Sequence, residues 1–201
     1  MGKLLIAIPT VDYIHWKFVE SLINLGEALH NDGVDYDICF EYGTLLYLER
    51  DKLAEKAVEE QYDEVLWLDA DMVFESDIYK VLKQTGKDFV SCVYRGRHSD
   101  HKICLFSNLQ NPTRVAEKDI VDEPFKILGC GFGCVLIKTD ILATIRDHYG
   151  SPFRPTPLFG EDLAFCARCW DLNIDIWSDG RAKAGHIAQS VLMPDKSMTS
   201  I

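Results

Sequence analysis

Apolar positions in the first half of the chain fall into short solid runs separated by helical stripes. Lys3 to Ile8 is an almost continuous apolar run stopped by Pro9-Thr10, which predicts a strand buried on both faces. Ile14, Phe18, Leu22, Leu25 and Leu29 then recur at steps of three and four, one face of an amphipathic helix that Asn31-Asp32-Gly33 ends. Tyr36 to Phe40 reads as a second strand, Leu53, Ala54, Ala57 and Val58 mark a second helix, and Glu64 to Leu68 is a third strand. Ser76-Asp77 is expected to cap a short helix that runs through Leu82 and is closed by Gly86, and Asp88 to Tyr94 is a fourth strand. This alternation predicts an α/β fold, a Rossmann-like sandwich with a mostly parallel central sheet flanked by helices. Right-handed crossovers carry the C-terminal ends of such strands to one edge, where ligands bind.

The second half has a different rhythm. Arg95 to Lys102 is polar and basic and reads as a loop, while Ile103 to Phe106 and Val135 to Lys138 read as short strands around the glycine-rich stretch Lys126 to Gly133. Thr139 to His148 is predicted helical, and Gly150 to Gly160, with its prolines, is predicted to be a mobile loop. Glu161 to Leu172 is a helix with acidic residues in its first turn, and Ile174 to Trp177 is a further strand. With no repeat or linker visible, residues 1–201 are read as one catalytic domain.

The net charge of -11 opposes binding to nucleic acid or anionic lipid, and it means that any bound diphosphate needs a local cation. The seven cysteines are odd in number and scattered, which favours a reducing, cytoplasmic setting over a disulfide scaffold. The apolar start ends at Pro9, too soon for a signal-peptide core or a membrane span.

The strongest chemical signal is Asp69-Ala70-Asp71. Val65-Leu66-Trp67-Leu68 drives a strand into the core, and two carboxylates appear where that strand leaves the sheet. Burying them beside Leu68 and Met72 is unfavourable unless a cation compensates, and Asp oxygens suit Mn²⁺ or Mg²⁺. Asp35-Tyr36-Asp37 fits the same spacing but sits beside a turn and reads as solvated. Glu161 and Asp162 begin a helix after a loop, which by itself needs only favourable charge at a helix N-terminus. His186 in Ala184-Gly185-His186-Ile187 is by itself either structural or a metal ligand.

In the order of these parts the chain resembles the GT-A fold glycosyltransferases, family 2-like, over residues 3 to 190. The resemblance implies a GT-A-type fold and transfer of a sugar from a nucleotide-sugar, a UDP-sugar, to an acceptor hydroxyl on a glycan, lipid or protein. It implies that Asp71 holds Mn²⁺ or Mg²⁺, with His186 completing the metal site and Asp69 contacting the donor and bridging to the metal. It makes Asp162 the catalytic base if the reaction inverts, since retaining and inverting members share this fold, and Glu161 an acceptor contact. Pro9, Thr10, Asp12, Arg50 and Ala70 become donor contacts, and Glu41 stands where relatives contact the base. Gly129-Cys130-Gly131-Phe132-Gly133-Cys134 resembles the stretch lining the sugar pocket, so Gly131 and Phe132 are expected at the substrate. Arg95 and Arg97, in the basic segment that runs on through His98 to His101-Lys102, either clamp the diphosphate or lie in a solvated loop. Residues 1–94 then form the nucleotide half, and residues 95–201 the acceptor half that completes the metal site.

Three other readings compete. Cys130-x-x-x-Cys134 and Cys166-x-x-Cys169 have spacing tolerable for a zinc site of four thiolates. A nucleotidyltransferase would share the sheet and acidic site, but needs a glycine-rich basic loop after strand one, and Pro9-Thr10-Val11-Asp12-Tyr13 has neither glycine nor base. A protein that binds a sugar nucleotide without turnover is the third.

Overall fold

The structure is a computed structural model that describes residues 2–11, 13–97 and 101–188 in full, and 190–192 and 198–200 as backbone. The first half follows the predicted alternation: β1 (Leu4–Thr10), α1 (Trp16–Asn31), β2 (Tyr36–Tyr42), α2 (Leu46–Glu59), β3 (Glu64–Leu68), a short β4 (Met72–Phe74), α3 (Ile78–Gln84) and β5 (Phe89–Val93). The second half adds β6 (Leu105–Asn108), β7 (Thr113–Arg114), β8 (Pro124–Ile127), β9 (Gly129–Cys130), β10 (Cys134–Lys138), α4 (Thr139–Tyr149), α5 (Glu161–Asp171) and β11 (Ile176–His186). The backbone hairpin of β12 (Ser190–Leu192) and β13 (Met198–Ser200) follows.

The central sheet runs β2-β1-β3-β10-β5-β11-β4, with β8 also paired to β11. β1 pairs in parallel with β2 and β3, and β11 with β5, as the crossovers predict. β10 lies antiparallel between β3 and β5, a strand from the second half inserted into the first-half sheet. By direction the sheet is therefore mostly parallel, five of its eight strands running one way, with β10 reversed at the centre and β4 and β8 antiparallel to β11.

Side chains alternate between two cores, as the period-two pleat requires. Leu4, Ile6, Ile8, Leu66, Leu68, Cys134 and Leu136 face α1 and α3, whereas Leu5, Ala7, Val65, Trp67, Val135 and Ile137 face α2, α4 and α5. Every residue of β1 and β3 is buried, which is why they read as solid apolar runs.

Helix ends mostly obey the sequence. Gly33 and Gly86 take positive φ just beyond α1 and α3, a conformation that costs glycine little. Asp77 occupies the N-cap of α3, but its side chain makes no capping hydrogen bond, contrary to expectation. The last predicted strand is longer than its apolar core suggested. β11 continues through the polar stretch to His186, so this histidine ends that strand rather than lying beyond it.

Candidate functional site

The turn after β3 organises the site. The Asp69 N–H donates to the Gly133 carbonyl at 3.0 Å and the Met72 N–H returns to the Asp69 carbonyl at 3.1 Å, so the chain folds back at once into β4. β4 pairs with the far end of β11, setting Met72 opposite His186, and the Ile187 N–H donates to the Asp71 carbonyl at 2.9 Å. Two segments remote in sequence are thereby held side by side.

Asp71 Oδ2 lies 2.7 Å from Arg97 Nη1 and 3.3 Å from His186 Nε2. Burial would raise its pKa, but the contact with His186 and the charge of Arg97 outweigh it and hold the carboxyl below its ordinary value. On the other side of the ring, His186 Nδ1 is 3.1 Å from the Arg95 carbonyl oxygen. A carbonyl only accepts, so Nδ1 carries hydrogen and the lone pair of a neutral imidazole sits on Nε2. In a neutral ring that lone pair would face the carboxylate oxygen, and among the described residues Nε2 is buried with no hydrogen bond of acceptable geometry despite its closeness to Asp71. The contact is favourable when Nε2 carries a proton, the state in which it lowers the Asp71 carboxyl, or when both atoms hold one cation.

This donor pair fits a divalent ion. Metal-binding imidazoles commonly anchor their other N–H on a backbone carbonyl, and a hard cation is often held by few protein ligands, with water and substrate phosphate supplying the rest. The fuller set expected from the sequence is not assembled. Among the described residues no group of three or more His, Cys, Asp or Glu is arranged to hold a metal, and Asp69 is engaged elsewhere.

Asp69 Oδ1 accepts from Arg50 Nη2 at 3.0 Å, and the same nitrogen is 3.5 Å from Asp162 Oδ1. Arg50 is only 1% exposed, so it is not placed to touch a nucleotide directly as the sequence suggested. It is held instead against Phe132 and Phe153, with its guanidinium carbon 5.2 and 5.9 Å from their ring centres. Among the described residues its Nε and Nη1 have no hydrogen-bond partner. Burial works against its charge, but Asp69, Asp162 and Glu161 outweigh that and hold the proton more firmly than usual.

Asp162 begins α5. Burial pushes its carboxyl up to about 7; Arg50 opposes the rise, while Glu161 and Asp69 add to it. The Phe132 backbone also opposes the rise, and among the described residues Asp162 Oδ1 has no hydrogen bond. Asp69 is also raised, by burial first and by Asp71, against the pull of Arg50.

A cleft of about 380 Å³ opens beside these groups, lined by Pro9 and Thr10 from β1, by Asp69, Ala70, Asp71 and Arg97, and by Tyr13, His15, Leu46 and Ile187. Most of the expected donor contacts therefore meet in one place. Asp12 and His98 lie outside the described residues. Arg95 is turned away, with its guanidinium on the His101 carbonyl and Glu117. Glu41 pairs with Lys52 at 2.7 Å. Phe132, expected at the substrate, is fully buried among Trp67, Phe89, Phe153 and Phe165. Gly131 is packed so closely that a Cβ there would lie 2.1 Å from Tyr94 Oη. Tyr94 was missed by the sequence reading because it looks like an ordinary strand end. It accepts from the Gly133 N–H at 3.1 Å and meets the His186 ring edge-on. His15, likewise missed, caps α1 by accepting from the Lys17 N–H.

The four-thiolate zinc reading fails on topology. Cys134 belongs to the core beneath α1 and α3, whereas Cys130, Cys166 and Cys169 lie in the core on the opposite face of the sheet.

No known family pattern and no curated protein matches the chain in sequence. Solved structures match it in fold. The A197 protein from STIV aligns over 100% of this chain and 94% of its own, with 20% identity and a TM-score of 0.59. The catalytic domain of Drosophila beta1,4-galactosyltransferase 7, in complex with xylobiose, aligns over 94% of this chain and 72% of its own, with 11% identity and a TM-score of 0.57. A mutant of that galactosyltransferase in complex with manganese, UDP-Gal and xylobiose aligns over the same shares at a TM-score of 0.52. The chain thus has a mixed α/β fold structurally similar to GT-A glycosyltransferases.

Proposed function

We infer that this protein is a metal-dependent glycosyltransferase that moves a sugar from a nucleotide-sugar, a UDP-sugar, to an acceptor hydroxyl. One observation carries the reading. Asp71 Oδ2 and His186 Nε2 lie 3.3 Å apart where β4 meets the end of β11, with Asp71 also lining the cleft on the ligand-binding edge of the sheet, a separation that two ligands of one divalent cation would have. The galactosyltransferase of similar fold, whose mutant complex contains manganese and UDP-Gal, lends support.

In this reading Asp71 and His186 would hold Mn²⁺ or Mg²⁺, which when bound would supply positive charge at the departing nucleoside diphosphate. Pro9, Thr10 and Ala70 border the nucleotide, and Arg97 leaves Asp71 to meet a phosphate oxygen. Asp162 receives the acceptor proton as the acceptor oxygen bonds to the anomeric carbon and the bond to the diphosphate oxygen breaks. Arg50 orients Asp162 and Asp69 from behind. Residues 1–94 serve the nucleotide, and residues 95–201 serve the acceptor and complete the metal site within one catalytic domain.

Hydrolysis or transfer measured across a panel of nucleotide-sugars, with and without Mn²⁺, tests this. Turnover of at least one donor that chelation abolishes is the expected result. Metal-independent binding of UDP with no turnover of any donor would leave only a nucleotide-binding role.

A further inference from the structure

β2 forms one end of the central sheet, and among the described residues nothing pairs with its outer edge. The strand is seven residues long, runs in unbroken register with β1, and contains neither lysine nor proline. Proteins usually blunt such an edge with charge, proline or a bulge, because an open row of N–H and C=O groups is a template for another strand; here the charges, Asp37 and Glu41, lie on the face away from α1 and leave the α1 side without any of these devices. This edge is also apolar on one side. Ile38, Phe40 and Tyr42 share the face toward α1 and are exposed, Tyr42 by 65%.

Helix α1 extends that apolar surface. Its Gly26 carbonyl accepts from the Tyr36 hydroxyl at 3.1 Å, so the flank carrying Gly26 borders β2, while Ser21 on the opposite flank binds the Phe74 N–H. Val19, Ile23 and Trp16 follow Gly26 at helical spacing on the β2 flank, and Trp16 and Ile23 are 64% and 57% exposed. Together the six side chains offer on the order of 600 Å² of apolar surface, near the most a monomer usually exposes and approaching one side of a stable interface.

We propose that this face is a homodimer interface in which β2 pairs antiparallel with β2 of a second copy, joining the two sheets into one. The strand is self-complementary about its midpoint, Cys39. With all seven residues paired, Ile38 lies opposite the partner's Phe40 and Tyr36 opposite the partner's Tyr42, so apolar residues meet on the α1 side. On the other side Asp37 lies opposite the partner's Glu41. Each acid has a lysine beside it, Lys3 at 2.8 Å from Asp37 and Lys52 at 2.7 Å from Glu41, the latter shared with Glu49 at 2.9 Å, so the repulsion between the facing acids is reduced. A one-residue slip would turn the apolar set to the wrong face, which favours this register.

Sedimentation velocity on the full chain, with cross-linking by a short bismaleimide, tests the proposal. A dimer is expected at micromolar concentration. Phe40→Lys should weaken it at least about tenfold while leaving the circular dichroism spectrum and melting temperature unchanged. The wild-type dimer should cross-link through Cys39, and Cys39→Ser should abolish the product. A chain that stays monomeric, or a dimer indifferent to Phe40→Lys and cross-linked independently of Cys39, overturns it. So does a monomer that floats with phosphatidylcholine vesicles, which would assign the face to lipid.

Discussion

Arg50 Nη2 lies 3.0 Å from Asp69 Oδ1, and this contact joins the middle of the candidate site to the hydrophobic core. The guanidinium comes from α2, is packed against aromatic rings, and reaches Asp162 with the same nitrogen. The carboxylate at the end of β3 and the carboxylate at the start of α5 therefore share one buried cation. Neither acid is solvated freely enough to hold its charge without it, so the three groups behave as a unit.

Arg50→Met should strand two carboxylates against an apolar wall. Removing one partner of a buried ion pair typically costs about 3–5 kcal/mol. Urea denaturation at pH 8 is expected to show a loss in that range, and a smaller loss near pH 4, where the acids take up protons. Arg50→Lys should recover part of it. An Arg50→Met protein as stable as wild type at pH 8 would remove the guanidinium from any structural role.

Asp162 gives the stability a defined pH dependence. Its pKa is raised from the ordinary 3.8 to about 7 in the folded protein, so the folded chain keeps a proton that the unfolded chain has released. Its contribution is full below the ordinary value, falls through the window up to about 7, and is flat above it. Asp162→Asn removes this dependence. The melting temperature of the variant relative to wild type should therefore rise across that window and level off beyond it. As the base of the proposed transfer, Asp162 must be ionised, so wild-type turnover should climb through the same pH and plateau, while the Asn variant binds donor but does not transfer.

Loss of Asp71 should act on binding and leave the fold alone, because its side chain is partly exposed and its strand contacts are made by the backbone. Calorimetry with UDP and Mn²⁺ is expected to show that Asp71→Asn or His186→Ala weakens metal-dependent binding by more than the ~10–100-fold typical of residues that merely support a metal ligand. Unchanged affinity in either variant excludes that residue as a ligand.

Gly131 and Tyr94 make a coupled pair. The Cβ of Gly131→Ala would fall 2.1 Å from Tyr94 Oη but 3.2 Å from Cζ, so the clash is with the hydroxyl. Overpacking of this kind costs about 1–3 kcal/mol. Tyr94→Phe alone should also destabilise, by leaving the Gly133 N–H unpaired, but in the double variant it should relieve most of the alanine penalty. A double-mutant cycle by thermal denaturation that gives additive losses would contradict the packing described.

The alternation of solid apolar runs with spaced stripes was enough to place β1, α1, β2, α2, β3, α3 and β5, because burial on a pleat or a helix face imprints a local period on the chain. The same logic put Asp69 and Asp71 at a strand's end and Asp162 at a helix's start. What the chain could not declare were relationships across the sheet. β10 is reversed between β3 and β5, β11 runs on through polar residues until His186 meets Asp71, and Arg50 turns inward to the acids while Phe132 enters the core. Each of these depends on which strand or helix lies beside which. Long-range register is chosen by the sum of packing and hydrogen bonding over the whole fold, whereas periodicity records only whether a residue is buried, not against what.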